Sequence, residues 1–363
     1  MGASDGLEGV VAAETVLSDV DGAAGRLVIR GHSLDEIAGQ WTFEDVTALL
    51  WSGFFDHLPV DLRGALGVAR AEGAGELIAL DPGLARHPPI EVMRAMTARL
   101  GDGDDLATAL RLAAAPAVFA AAAIRVGAGE APIPPDPSLG HAADILRMCR
   151  GRPASEAEVA ALDAYLVTIC DHGFNASTFA ARVVASTRAG LTSAVLAGIS
   201  ALKGPLHGGA PGPVIDMLDA IGTPENARAW LEAALDRGDR LMGFGHRVYR
   251  VRDPRADALK RAVRALGAGS NVLPGRLSFA EAVERAALEV LRERKPNRSL
   301  ETNVELYTAL LLEALAFPAD AFTCVFAMGR VAGWIAHARE QVMGGRLIRP
   351  ASLYVGPVPR AAA

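Results

Sequence analysis

Helix-starting signals recur along the whole chain while strand signals collect in one short place, and this imbalance limits the fold more than any other feature. Ser33 with Glu36, Ser155 with Glu158 and Ser278 with Glu281 have capping-box spacing, in which hydroxyl and carboxylate satisfy each other's free backbone N–H groups. Thr223-Pro224-Glu225 and Asp253-Pro254-Arg255 read as an N-cap followed by proline at the first helical position. Apolar residues fall at helical spacing over 155–172, 223–237, 278–294 and 318–340. Pro318 should split the apolar stretch 303–340 into two helices, because proline lacks an N–H and clashes with the preceding turn. Only Gly25–Arg30, after the turn-like Asp19–Gly22, predicts a strand, as a short hairpin arm. Strands and helices do not alternate, so a parallel sheet is not expected and the predicted class is all-α. Gly127–Pro137, rich in Gly and Pro, predicts a loop between helices.

Composition narrows the function. Half of the 363 residues are hydrophobic (51%), enough for a large core and too many for a disordered chain. The net charge is −6 with both signs interspersed, so no nucleic-acid partner is expected. Lys203, Lys260 and Lys295 are the only lysines, and arginine suits bidentate binding of carboxylates and phosphates. Cys149, Cys170 and Cys324 have neither disulfide nor zinc spacing, so a reducing, cytoplasmic location and no metal are expected. The most apolar run, Ala113–Ile124, is interrupted by Pro116, flanked by Arg111 and Arg125, and too short for a bilayer, so no membrane is expected.

Several polar residues stand in special surroundings, and each admits two accounts. His207, in Lys203–Pro211, is either incidental to a glycine-rich turn or placed where glycines let a ligand approach the backbone. His246, in Gly243–Arg250, belongs either to a solvated basic loop or to an anion site. Arg255 opposes the helix dipole in a first turn, so it either bends into solvent or meets an anion. Glu305 is either an ordinary first-turn glutamate or a base with a raised pKa at the mouth of a buried helix. Arg330, within an apolar helix between small residues, needs an anionic partner if it points inward. His172, at the end of the helix begun at Ser155, suits the dipole there with no further role.

In order, Asp171–Ser177, Gly204–Gly209, Gly243–Tyr249, Asp253-Pro254-Arg255, Asn303-Val304-Glu305, Gly329–Trp334 and Leu347–Pro350 resemble the signature blocks of citrate synthases. The pattern is most similar to the shorter bacterial citrate/2-methylcitrate synthase type, runs from Gly6 to Gly356, and is weakest over 59–154. The resemblance implies a large helical domain (1–207 and 311–363) and a smaller inserted one (208–310) closing over a cleft, with the short N-terminal β-hairpin. It implies condensation of acetyl-CoA with oxaloacetate to citrate in the tricarboxylic acid cycle, with propionyl-CoA or a catalytically weak CoA- or dicarboxylate-binding paralogue as alternatives. No cofactor beyond the coenzyme A thioester is implied. By resemblance, His207 binds the thioester oxygen, His246 protonates the oxaloacetate ketone, and Glu305 removes the α-proton, where the family normally has aspartate. His172, Arg255, Arg330 and a homodimer partner's Arg349 would hold the carboxylates, and Phe326 would line the pocket. Gly243, Phe244, Gly245, Arg250 and Asn303 would contact coenzyme A.

Overall fold

The computed structural model describes residues 5–7, 9–208, 211–268 and 274–357, so Gly209 and Ala210 of the His207 block lie outside the described residues. Strands β1 (Ser18–Asp21), β2 (Arg26–Ile29) and β3 (His32–Ser33) form an antiparallel sheet, with Val20 opposite Leu27 and Val28 opposite Ser33. The expected hairpin therefore carries a third strand. Helices α1 (Leu34–Ile37), α2 (Phe43–Trp51), α3 (Leu62–Ala74), α4 (Pro89–Thr97) and α5 (Leu106–Gly127) follow. Next come α6 (His141–Arg150), α7 (Glu156–Ile169), α8 (Ala176–Ser186), α9 (Leu191–Leu202) and α10 (Pro211–Ile221). The last are α11 (Ala227–Asp236), α12 (Pro254–Ala268), α13 (Pro274–Arg294), α14 (Val304–Ala314) and α15 (Phe322–Gly344).

Local signals placed most of these ends. Ser33 and Ser155 form complete capping boxes with Glu36 and Glu158. Ser278 does not start a helix: α13 begins at Pro274, because proline there sets the first-turn φ. The Thr223-Pro224 signal opens a 3-10 turn, Pro224–Asn226, and α11 begins only at Ala227. Pro318 separates α14 from α15 as expected, with a 3-10 turn, Ala319–Ala321, before α15 starts.

Pro116 does not end its helix. It lies inside α5, 22 residues long, and every residue from Leu112 to Ala123 is buried. α5 and the stretch Ala319–Gly344 are long and apolar enough to cross a bilayer, which corrects the estimate made from the shorter run. In this fold both are core helices. α15 packs on α2, α5, α7, α8 and α9, and α5 packs on α3, α4 and α6. In a second group, α10 and α12 pack on α14 and α11 packs on α13, while α12 also lies along α7.

One buried ion pair ties the N-terminal helices together. The Arg70 and Asp144 side chains are fully buried, with Nε 2.8 Å from Oδ2. Arg70 Nη2 donates to the Leu139 carbonyl at 2.6 Å, and Nη1 donates to His141 Nδ1 at 3.2 Å. Burial and Arg70 hold His141 well below the usual histidine range, so it stays neutral and stacks on Phe43 with centroids 4.6 Å apart.

Candidate active site

The site forms where five separated segments meet: the 171–177 turn, the 203–208 turn, the 243–255 segment with the start of α12, the start of α14, and α15 with Phe326 and Arg330. Backbone pairing aligns two of them. Gly245 N–H donates to the Glu301 carbonyl at 2.7 Å, Asn303 N–H donates to Gly243 at 3.0 Å, and Phe244 bridges Thr302. Gly243 (φ +85) and Gly245 (φ +80) adopt left-handed backbone that a side chain would strain, which is why this bridge is built from glycines.

Asp253 then does work that its N-cap reading did not foresee. Its fully buried carboxylate accepts from Arg255 Nε (3.0 Å) and Nη2 (2.8 Å), and also from Val304 N–H (3.2 Å) at the start of α14. Arg255 is therefore not an exposed arginine bending into solvent; it is 4% exposed and paired. One carboxylate thus joins Arg255 to the helix that carries Glu305.

Hydrogen bonds decide the state of His246. Its Nδ1 accepts from Val248 N–H (3.0 Å) and Tyr249 N–H (3.1 Å), which places the ring proton on Nε2. Nε2 lies 3.2 Å from Arg255 Nη2, which is also a donor. Two donors side by side cannot satisfy each other; one oxygen of an anion or carbonyl can satisfy both. Burial and then Arg255 bring the His246 pKa down to about 4, so the ring is neutral at pH 7.

His207 is held differently. Its Nε2 lies 2.9 Å from Ser177 Oγ, whose other neighbours are Trp334 Nε1–H (3.2 Å) and Asn175 Oδ1 (2.8 Å). Tryptophan can only donate, so Oγ accepts there, and its single proton goes either to Asn175 Oδ1, with His207 Nε2–H donating back to Oγ, or to His207 Nε2. Donation to His207 leaves the imidazole proton on Nδ1, free for a ligand. Burial, Arg330 and Arg255 lower its pKa to about 4.

His172 is 7% exposed, with Nε2 3.1 Å from the Tyr249 hydroxyl and its ring edge-on to His246 at 5.6 Å. Burial, then Arg255 and His246, push its pKa well below the usual range, so it adds no charge to compensate a helix end. Arg330 is 1% exposed, donates from Nε to the Ile169 carbonyl at 2.5 Å, and lies 5.0 Å above the Phe326 ring. No carboxylate among the described residues lies within ion-pair distance, and burial lowers its pKa to about 10. The anionic partner that its position demands is not supplied by its own helix bundle. Phe326 is 6% exposed, with its ring 6.4 Å from that of His207.

Glu305 lies half-buried in the first turn of α14, where its N–H is capped by Asn303 Oδ1 at 3.0 Å. Burial raises its pKa to about 7, opposed by Arg255 and assisted by Asp253. Both accounts of this residue hold: it is a first-turn glutamate and a carboxyl poised near neutrality. Its carboxylate form grows as pH rises through about 7, so a reaction using it as base should show an acid limb there in kcat. Loss of that limb from the residual rate of Glu305→Gln, which has no carboxyl to titrate, is the expected check. The stability sign is opposite. The folded state holds this proton more tightly than the unfolded chain, so stability falls as pH rises from the ordinary carboxylate range through about 7.

Three expected contacts are not gathered within one chain. Arg349 lies exposed on an irregular C-terminal arm, and Arg250 is exposed with its N–H bonded to Gly22. The Asn303 amide is engaged inside the protein, donating to the Gly245 carbonyl at 2.9 Å. Sequence reasoning missed Ser177, Tyr249 and Asp253. All three stood inside the quoted blocks, where the histidines and arginines beside them drew the notice.

Comparison with known proteins agrees with this geometry. A family model described as citrate synthase, C-terminal domain, matches residues 6–351. The chain belongs to the citrate synthase family. A citrate synthase of Haloferax volcanii is 38% identical over 97% of this chain and 95% of its own length. A 2-methylcitrate synthase of Mycobacterium tuberculosis is 37% identical over 97% of this chain and 90% of its own. The solved ternary complex of carboxymethyl coenzyme A and oxaloacetate with citrate synthase from Thermoplasma acidophilum superposes with a TM-score of 0.84. It shares 28% identity and covers all of this chain (100%) and 98% of that one. The chain is thus a mostly helical acyltransferase of the citrate synthase type.

Proposed function

We propose that the protein condenses acetyl-CoA with oxaloacetate and hydrolyses citryl-CoA to citrate and coenzyme A, as the oxaloacetate complex of its relative suggests. The observation that carries the reading is the facing of two donors, His246 Nε2–H and the Arg255 Nη2 that Asp253 already holds through one proton, beside the buried, carboxylate-free Arg330. That arrangement lacks only a small dianion with a carbonyl.

Glu305 takes the α-proton of the thioester, and the C–H electron pair moves into an enolate whose oxygen accepts from His207. The enolate carbon attacks the ketone of oxaloacetate, whose oxygen takes a proton from His246, and water then cleaves the thioester to release the thiol. A thioester α-proton is far less acidic than a carboxylic acid, and each pK unit of mismatch costs about 1.4 kcal/mol. A raised carboxylate pKa narrows that gap, and a neutral imidazole at the developing oxyanion carries much of the rest. Arg255, Arg330 and His172 hold the carboxylates, and Phe326 lines the pocket. The Gly243–Gly245 backbone and Arg250 contact coenzyme A; Asn303 shapes that backbone through its bond to Gly245. The chemistry needs no metal or redox cofactor.

In this reading the enzyme is a cytoplasmic homodimer, and Arg349 completes the neighbour's site, since its own chain leaves it exposed. Residues 208–310 form the smaller domain, supported by the packing of α10 on α14, of α11 on α13 and of α12 on both α13 and α14, and α12 links it to α7.

Propionyl-CoA is the second reading, favoured by the relative named 2-methylcitrate synthase. One methylene discriminates by only about 1–3 kcal/mol. Thiol release from acetyl-CoA and propionyl-CoA, with and without oxaloacetate, tests both. Oxaloacetate-dependent release is expected, and the ratio of kcat/KM names the acyl group. Coenzyme A binding without turnover of either thioester would instead point to a silent paralogue.

A further inference from the structure

The residues flanking His172 are held by a buried polar network that continues to the root of the C-terminal arm. Asp171, fully buried, accepts from Ser18 Oγ at 2.6 Å and from His337 Nε2 at 3.1 Å. His337 Nδ1 accepts from Arg182 Nη1 at 3.1 Å, which keeps the ring proton on Nε2 for Asp171. Arg182 also pairs with Glu340, and its Nε donates to Gln341 Oε1 at 2.9 Å. Gln341 Nε2 in turn donates to the Arg346 carbonyl at 2.8 Å.

The amide of Gln341, 3% exposed, can take only one orientation. Arg182 can only donate and a carbonyl can only accept, so Oε1 must face the first and Nε2 the second. The backbone is shaped to the same contact: a Cβ on Gly345 would lie 2.1 Å from Gln341 Nε2. Beyond it the described residues of the arm, to 357, form no helix or strand; the arm is tied once more by Ile348 N–H to Ser186 Oγ (3.0 Å) and exposes Leu347 (58%) and Leu353 (68%). Arg349 follows Arg346 by three residues, about 10 Å of extended chain, so the Gln341 and Ser186 contacts together fix the backbone from which its guanidinium extends.

We propose that Gln341 is a positioning residue that sets the course of the arm carrying Arg349, and so serves the oxaloacetate site of the neighbouring subunit instead of its own. This rests on the reading above that Arg349 acts across the dimer. Arg182 makes the contact two-sided: it holds the loop of His172 on one side and the donated arm on the other.

Gln341→Glu tests it: the carboxylate keeps the acceptor for Arg182, which balances its charge, and turns the donor to Arg346 into an oxygen that repels the Arg346 carbonyl. KM for oxaloacetate should rise about three- to tenfold, the range of one lost hydrogen bond, with kcat within roughly a factor of two. Gly345→Ala should do the same. The deciding experiment uses hybrid dimers with His246→Ala as the silent subunit. Wild type paired with Gln341→Glu/His246→Ala should show the raised KM, since its only working site receives the altered arm. Gln341→Glu paired with His246→Ala should show the native KM. The reverse pattern, or a raised KM in both, overturns the proposal. Arg349→Leu separates the two layers. If it leaves KM unchanged, the cross-subunit arginine is wrong; if it raises KM while Gln341→Glu does not, only the positioning role is wrong.

Discussion

Glu305→Gln should lower kcat by about a hundred- to ten-thousandfold, the contribution expected of a general base, with little change in oxaloacetate affinity. The amide keeps the shape and the Asn303 cap, which involves only the Glu305 backbone, and loses the basic oxygen. Oxaloacetate should still bind, because its expected partners, Arg255 and His246, are held by Asp253 and by backbone N–H groups. Steady-state kinetics and oxaloacetate titration would separate the two effects. Turnover within tenfold of wild type would remove Glu305 from the role of base. Glu305→Asp restores the carboxylate but draws it back by one methylene. A displacement of about 1 Å can cost on the order of a hundredfold in rate, so partial rescue is expected unless substrate follows the shorter side chain.

The second large effect lies far from the chemistry. Arg70→Met should destabilise the fold by about 3–5 kcal/mol, the usual cost of breaking a buried ion pair from one side. The low end is expected, because Asp144 keeps Arg147 at 2.7 Å and the Asp136 N–H. The Leu139 carbonyl and His141 Nδ1 lose their donor as well. Thermal unfolding should show a midpoint lower by several degrees. The double variant Arg70→Met/Asp144→Leu removes the orphaned buried carboxylate but also frees Arg147 and the Asp136 N–H, so it should recover little of the loss. A single variant as stable as wild type would mean that the pair contributes nothing.

Helix ends were legible wherever the signal is local. The capping boxes at Ser33 and Ser155 and the break at Pro318 need only neighbouring residues, and all three stand in the structure. Ser278 shows the limit of that reasoning, because the same spacing lies inside a helix begun four residues earlier. Pro116 shows another: close packing around α5 retains a proline that pattern alone reads as an interruption. The histidines and arginines of the site were all visible in their blocks. Their partners were not, since Ser177 and Asp253 are ordinary polar residues until something is placed against them.

The sequence by itself determined the helical class, the order of the glycine-, histidine- and arginine-bearing blocks, and the glutamate in the first turn of α14. Only the tertiary structure decided which of these groups carry charge. Burial and then Arg330 and Arg255 bring His207 to about 4, burial and then Arg255 bring His246 to about 4, and burial raises Glu305 to about 7 against the opposing charge of Arg255. Helix signals act between residues a few positions apart and can be read along the chain. Desolvation and pairing depend on what packing brings together from distant segments, as when Asp253 reaches Val304 or Arg182 reaches Gln341, and no local pattern records it.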